Sequence, residues 1–117
     1  MDSFTHAYIE AALWSSTDNS DEQGGEPLDA NYGPDDIAPE TLARILNDCE
    51  AFQQDHADDI GGELERAGHD FWLTRNGHGA GFWDGDWEDE VGHRLTEDSD
   101  VYGNVDLYVG DDGLIYS

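Results

Sequence analysis

The balance of charged residues constrains this chain more than any other feature of its sequence. The 117 residues include 19 aspartates and 10 glutamates but no lysine and only four arginines, so the formal net charge is −25 at pH 7. A small domain needs a net charge of only about 2–8 to stay in solution. Because charge of one sign opposes a compact state, a fold of this chain must either screen its carboxylates or bind cationic groups.

Aromatic residues supply much of the apolar surface from which a core can form. The chain has four Trp, four Phe and five Tyr within a hydrophobic content of 37%, and each aromatic side chain can bury roughly 150–250 Å². We therefore expect one folded domain over residues 1–117, although so high a charge is also typical of disorder. Cys49 is the sole cysteine, which excludes an intrachain disulfide and a cysteine-rich zinc site.

The negative charge also limits the possible partners. Nucleic acids and anionic membranes would repel this surface, so we expect neither to bind it directly. The sequence has no apolar run near the roughly 20 residues of a membrane span and no signal-peptide pattern at its start. These features predict a soluble, intracellular protein.

Hydrophobic spacing predicts two helices in the first half of the chain. An amphipathic stripe covers residues 3–14, and Pro39 suits the first position of a second helix. The buried stripe of that helix is expected to contain Leu42, Ile45, Leu46, Cys49 and Phe52. Residues 15–31 lack periodicity and are rich in Ser, Asp, Asn and Gly, which predicts a loop anchored to the core by Leu28 and Tyr32. Gly61-Gly62 is expected to weaken the second helix, residues 63–67 can resume it with Leu64 facing inward, and Gly68 is the candidate end of that stretch.

From His69 onward the alternation of side chains indicates strands. Residues 69–75 and 79–83 flank Asn76-Gly77, a strong hairpin signal, and a short helix should follow around Trp87, Val91 and Leu95. Residues 105–109 and 114–116 flank the turn Gly110–Gly113. The predicted fold class is therefore α+β, with about three helices packed on a small, mainly antiparallel sheet of about four strands in two hairpins.

Acidic residues are the main candidates for a binding site. Carboxylates along a helix can imitate the phosphates of duplex DNA, which presents one charge per roughly 1.7 Å of axis. The residues expected to contact a basic partner in this way are Asp48, Asp55, Asp58, Asp59, Glu63, Asp84, Asp86, Glu88, Asp89 and Glu90. The alternative is an acidic shell that serves solvation in concentrated salt, where a Debye length of about 3 Å at 1 M screens the repulsion. The absence of lysine and the excess of Asp over Glu favour this alternative.

The sequence contains no catalytic motif, so we expect no enzymatic activity, no cofactor and no dedicated metal site. The spacing of His69 and His78 matches no zinc pattern. Five aromatic residues could form a patch for a protein partner, although packing within the core is the favoured interpretation. They are Trp72, Trp83, Trp87, Tyr108 and Tyr116.

Two segments, Ala67–Asp84 and Val105–Tyr116, resemble small proteins encoded by tailed viruses of bacteria and archaea, as do residues 8–16, 27–32 and 37–42. The chain departs from that pattern after Trp83, where it is more acidic and lacks a basic residue expected near Gly85. The resemblance implies a small acidic viral accessory protein with no assigned activity, in a setting where inhibitors of host defence are common.

Charge and resemblance together give two hypotheses. In the first, the protein acts in the host cytoplasm and inhibits a nucleic-acid-binding defence protein, such as a CRISPR effector or a restriction enzyme, through a DNA-mimicking acidic surface. In the second, it is a salt-adapted viral accessory or virion protein whose charge serves solvation only. The sequence does not indicate the oligomeric state.

Overall fold

The computed structural model describes residues 2–18, 26–77, 81–82 and 87–117. Within these ranges the chain forms five α-helices: α1 (Ser3–Ser15), α2 (Pro39–Asp55), α3 (Ala57–Ile60), α4 (Leu64–Arg75) and α5 (Asp89–Tyr102). Two antiparallel pairs of two-residue strands accompany them, namely β1 (Thr17–Asp18) with β2 (Glu26–Pro27), and β3 (Tyr108–Val109) with β4 (Ile115–Tyr116). The fold is mainly helical, so the predicted α+β class with a sheet of about four strands is wrong.

The largest correction concerns residues 69–75, which were expected to form a strand but belong to α4. All five residues from Phe71 to Arg75 are buried, and α4 packs against both α1 and α5. A segment buried on every side has no clean hydrophobic period, so alternation cannot distinguish its helix from a strand. Of the expected return strand, residues 79–83, only Gly81 and Phe82 are described, and neither lies in a strand.

Gly68 was expected to end a helix, but it lies inside α4 at the crossing with α1. A Cβ at this position would collide with the backbone carbonyl of Phe4. The absence of a side chain therefore allows α1 and α4 to approach each other closely.

The first two helices agree with the sequence. Asp2 caps α1, because its Oδ1 accepts a hydrogen bond of 2.8 Å from the backbone N–H of Thr5. Pro39 is the first residue of α2, whose buried residues are Thr41, Ile45, Cys49 and Phe52. One member of the predicted stripe differs, since Leu46 is 39% exposed.

The predicted loop at 15–31 contains the β1–β2 pair, and its residues 19–25 lie outside the described ranges. Leu28 is fully buried and Tyr32 packs against the core, as expected. Short 3₁₀ turns at Leu28–Ala30 and Pro34–Asp36 connect β2 to α2.

The C-terminal hairpin was predicted with longer strands than the structure has. Its register pairs Tyr108 with Tyr116 and Val109 with Ile115. The carbonyl of Ile115 accepts a hydrogen bond of 2.9 Å from the N–H of Ala38, which attaches the hairpin to the start of α2. The third predicted helix is confirmed but is longer than expected, since α5 ends at Tyr102.

Stacked aromatic rings form the centre of the core. The ring centroid of Phe52 lies 4.2 Å from that of Phe71 and 5.8 Å from that of Phe82. Tyr102 meets Phe71 edge-on at 5.1 Å. These contacts join α2, α4 and α5, so the aromatic residues replace the aliphatic residues that the composition lacks.

Candidate binding surface

Eight of the ten acidic residues predicted to bind a partner lie within the described residues, whereas Asp84 and Asp86 lie outside them. Six of the eight are exposed, namely Asp55, Asp58, Glu63, Glu88, Asp89 and Glu90. The other two, Asp48 and Asp59, are half-buried and are bound by arginines. The predicted surface therefore divides into exposed carboxylates and carboxylates that hold the fold together.

Asp48 belongs to the second group because it binds the buried guanidinium of Arg75. Arg75 Nη1 lies 3.0 Å from Asp48 Oδ2 and donates to the hydroxyl of Tyr8 at 3.1 Å. The same guanidinium donates to the backbone carbonyls of Tyr102 and Gly103 at 2.9 and 2.8 Å. With its charge neutralised in this way, Asp48 has a structural role.

The remaining acidic residues include a group at the junction of α2, α3 and α5. We name this the acidic cleft; it has a volume of about 460 Å³ and is lined by Gln54, Asp55, His56, Ala57, Asp58, Asp59, Arg94 and Asp98. Its four carboxylates face a single guanidinium, so the cleft has an excess of negative charge.

Two cross-connections hold the acidic cleft together. Arg94 binds both carboxylate oxygens of Asp59, at 2.8 and 2.6 Å, and this hydrogen bonding lowers the pKa of Asp59. The buried His56 places its Nε2 2.9 Å from Asp98 Oδ2. Asp55 and Asp58 remain exposed beside these fixed groups and are available to an incoming cation.

Asp98 was missed as a member of this cleft. A local signal was present, because Glu90, Arg94 and Asp98 are spaced four residues apart along α5 and therefore share one helical face. The contact of that face with α3 depends on tertiary packing, which local spacing does not encode.

A second cleft is formed by α1, α4 and the 3₁₀ turns. Its volume is about 480 Å³, and the side chains that line it include those of His6, Glu10, Trp14, Asp29, Tyr32 and His69. Trp14 is 58% exposed, and its ring centroid lies 6.2 Å from that of His69. We name this the Trp14 cleft. The predicted aromatic patch did not include Trp14, although its position off the buried stripe of α1 was a usable signal.

Two members of the predicted aromatic patch belong to the core, as the favoured interpretation had it. Trp72 is buried and donates to Ser15 Oγ at 2.6 Å, while the half-buried Trp87 donates to Asp70 Oδ2 at 2.7 Å. Tyr108 is exposed and stacks on Tyr116 at 5.9 Å. Trp83 lies outside the described residues.

The sole cysteine does not reach the described surface. Cys49 is fully buried, and burial raises the pKa of its thiol to about 12, so it packs as a protonated side chain. Within residues 2–18, 26–77, 81–82 and 87–117, no group of three His, Cys, Asp or Glu side chains is arranged to hold a metal ion. In the same ranges, no helix is both long enough and apolar enough to cross a membrane.

Comparison with known proteins gives no further guide to the two clefts. The chain matches no family model, no curated protein and no solved structure. The resemblance to small viral accessory proteins stays a prediction.

Proposed function

We propose that this protein is a non-catalytic binding protein whose acidic surface binds a basic surface of another protein. The observation that carries this proposal is the arrangement of the acidic cleft. Arg94 and His56 fix the carboxylates of Asp59 and Asp98, while Asp55 and Asp58 stay exposed. Because Asp59 and Asp98 already have partners, Asp55 and Asp58 are the carboxylates of the acidic cleft that can attract the cationic side chains of another protein.

The partner we propose is a nucleic-acid-binding protein of host defence, such as a CRISPR effector or a restriction enzyme. Such proteins carry Arg and Lys side chains that neutralise phosphates, and exposed carboxylates can occupy the same side chains. Inhibition would then be steric and competitive, with no chemical turnover. The resemblance to viral accessory proteins supports this choice of partner and a location in the host cytoplasm.

A second function is favoured by the distribution of the carboxylates. Exposed acidic residues occur on all five helices, for example Glu10, Glu50, Asp58, Glu65 and Glu97, and also in the turn of the C-terminal hairpin. A spread of this kind is expected when acidity maintains solvation in concentrated salt. The two roles are compatible, because a salt-adapted protein can also bind a basic partner.

The proposed function is tested by competition with DNA. A purified CRISPR effector or restriction enzyme is bound to a fluorescent duplex, and this protein is added at a KCl concentration where circular dichroism shows it folded. We expect the duplex to be released, with a fall in fluorescence anisotropy. The double variant D55N/D58N should require more protein for the same release, because it removes two exposed carboxylates from the acidic cleft.

The matched control is E97Q/D100N, which removes two exposed carboxylates from α5 outside the lining of the acidic cleft. If both double variants lose equal potency, total charge and not the cleft governs binding. If no effector releases its duplex and immobilised protein captures no DNA-binding protein from host lysate, the proposed function is wrong. Solvation in concentrated salt is then the remaining explanation of the acidic surface.

A further inference from the structure

We infer that the Trp14 cleft is a pocket for one arginine side chain of the partner protein. This inference rests on the proposed function, since it identifies the chemical group through which the basic partner is recognised. It concerns a surface separate from the acidic cleft: Trp14 and Glu10 lie on α1 and His69 on α4, whereas the acidic cleft lies at the junction of α2, α3 and α5.

The exposure of Trp14 is the first observation. Its neighbours Ala11, Ala12 and Leu13 are almost completely buried, yet Trp14 keeps more than half of its surface in contact with solvent. Trp14 therefore contributes little to the core. Exposed tryptophans of this kind are enriched among the residues that dominate protein–protein binding energies.

Charge complementarity identifies the occupant. The carboxylates of Glu10 and Asp29 line the cleft, and none of its described lining residues is an arginine. The imidazoles of His6 and His69 add polar atoms that can accept hydrogen bonds when neutral. An aromatic face beside two carboxylates attracts a cation through both the ring and the charges.

Arginine fits this combination better than lysine. A guanidinium is planar, so it can stack on an indole while its N–H groups donate to a carboxylate, whereas an ammonium is a compact and strongly hydrated charge. The volume of about 480 Å³ lies within the roughly 300–1,000 Å³ of typical ligand pockets. It can admit a guanidinium together with its aliphatic stem.

The two helices that carry Trp14 and His69 are held together before binding. Ser15, the last residue of α1, accepts the 2.6 Å hydrogen bond from the buried Trp72 of α4. The close crossing of α1 and α4 at Gly68 keeps the helices that carry Trp14 and His69 together.

The test compares two peptides of equal length and charge, one with arginines and the other with lysines at the same positions. Their affinities are measured by calorimetry, and the indole N–H signal of Trp14 is followed by NMR. We expect the arginine peptide to bind about fivefold more tightly than the lysine peptide and to shift the Trp14 signal. Trp14→Ala and Glu10→Gln should each abolish this preference.

Glu97→Gln is the matched control for Glu10→Gln. Both glutamates are 67% exposed, and each lies within reach of a histidine four residues earlier, at 3.6 Å for Glu10 and 3.0 Å for Glu97. Glu97→Gln should therefore keep the preference for arginine. Circular dichroism checks that every variant is folded, and Glu10→Gln tests the pocket independently of the larger change at Trp14.

Two results would overturn the pocket, and they differ in what they say about the proposed function. In the first result, both peptides bind equally, and D55N/D58N weakens their binding whereas Trp14→Ala does not. This result would rule out an arginine pocket at Trp14 and would leave the acidic cleft as the binding surface. In the second result, neither peptide binds and the protein also fails to compete with DNA. This result would rule out both the arginine pocket and the proposed function.

Discussion

At the residue scale, Arg75 shows how a chain with few cations uses one of them. The carboxyl end of α5 presents backbone carbonyls without intrahelical partners, and a positive charge near such an end is favourable. Arg75, which comes from α4, supplies both hydrogen bonds and charge to Tyr102 and Gly103. The same side chain also packs over the rings of Phe71 and Tyr102. It therefore joins α2, α4 and α5 at one point.

Arg75→Ala should destabilise the protein strongly. Removing one partner of a buried ion pair costs roughly 3–5 kcal/mol, and we expect about 3 kcal/mol because Asp48 regains solvent through a side chain that is 31% exposed. Urea unfolding measures the change in free energy. Arg44→Ala is the control, since Arg44 is exposed and has no ion pair among the described residues. Equal stability of the two variants would contradict this role.

The Asp59–Arg94 pair predicts a specific pH dependence. Because the folded state lowers the pKa of Asp59 below its ordinary value of 3.8, the ionised carboxylate stabilises the fold above that value. This contribution is lost as the pH falls through the lowered pKa. The stability difference between the wild type and Asp59→Asn should therefore be largest above about pH 4 and disappear in stronger acid.

Thermal unfolding at a series of pH values measures this difference. Asp58→Asn serves as the control for the change in net charge, because Asp58 is exposed and has no hydrogen bond to Arg94 in the described structure. A stability difference for Asp59→Asn that persists unchanged at low pH would contradict the assignment.

At the scale of elements, α1 and α2 were predictable because each keeps an exposed face at helical spacing, which in α1 consists of His6, Glu10 and Trp14. In α2, Ile45, Cys49 and Phe52 recur at helical spacing beside solvent-exposed positions. From Asp70 to Arg75, α4 has no exposed residue, so this segment shows no helical period of buried and exposed positions, and aromatic residues also favour strands. The sequence could thus locate α1, α2 and the first turn of α4, but not the buried continuation of α4 to Arg75.

The candidate site was predictable to a similar degree. Asp55, Asp58 and Asp59 are close in sequence, and their proximity in the structure follows from local geometry. The contacts of Asp59 with Arg94 and of His56 with Asp98 connect distant parts of the chain. Contacts of this kind depend on how the helices pack against one another. The spacing of residues in a single sequence does not determine that packing.

Gly68→Ala should destabilise the crossing of α1 and α4. The added Cβ meets a backbone carbonyl, which cannot rotate away, so the helices must separate at a cost of about 1–3 kcal/mol or more. Gly62→Ala is the matched control, because Gly62 has open space around it and no positive φ. Chemical denaturation of both variants should show a loss for Gly68→Ala alone, and a loss of similar size in both would contradict the packing argument.

At the scale of the whole molecule, internal pairing leaves little positive charge for the surface. Arg75 and Arg94 bind Asp48 and Asp59, and Arg66 lies 3.6 Å from Glu63. The exposed carboxylates on all five helices therefore face few neutralising groups among the described residues. Repulsion between them must be screened by dissolved cations or relieved by a partner.

We expect the melting temperature to rise between 0.1 and 1 M KCl, as the Debye length falls from about 10 to about 3 Å. In a domain near this size, each 1 kcal/mol of added stability corresponds to roughly 4–8 °C. Differential scanning calorimetry with KCl and with NaCl at equal ionic strength checks whether screening is the cause. A melting temperature independent of salt would show that repulsion costs the fold little.

The exposed indole of Trp14 has a kinetic consequence. Under the proposed function, charge spread over the described helices would attract a basic protein from many directions, and so would speed the first encounter without selecting an orientation. The anchor proposed at Trp14 would act after that encounter and would govern how long the complex lasts. Added salt should therefore slow association, whereas removal of Trp14 should shorten the residence time of the partner.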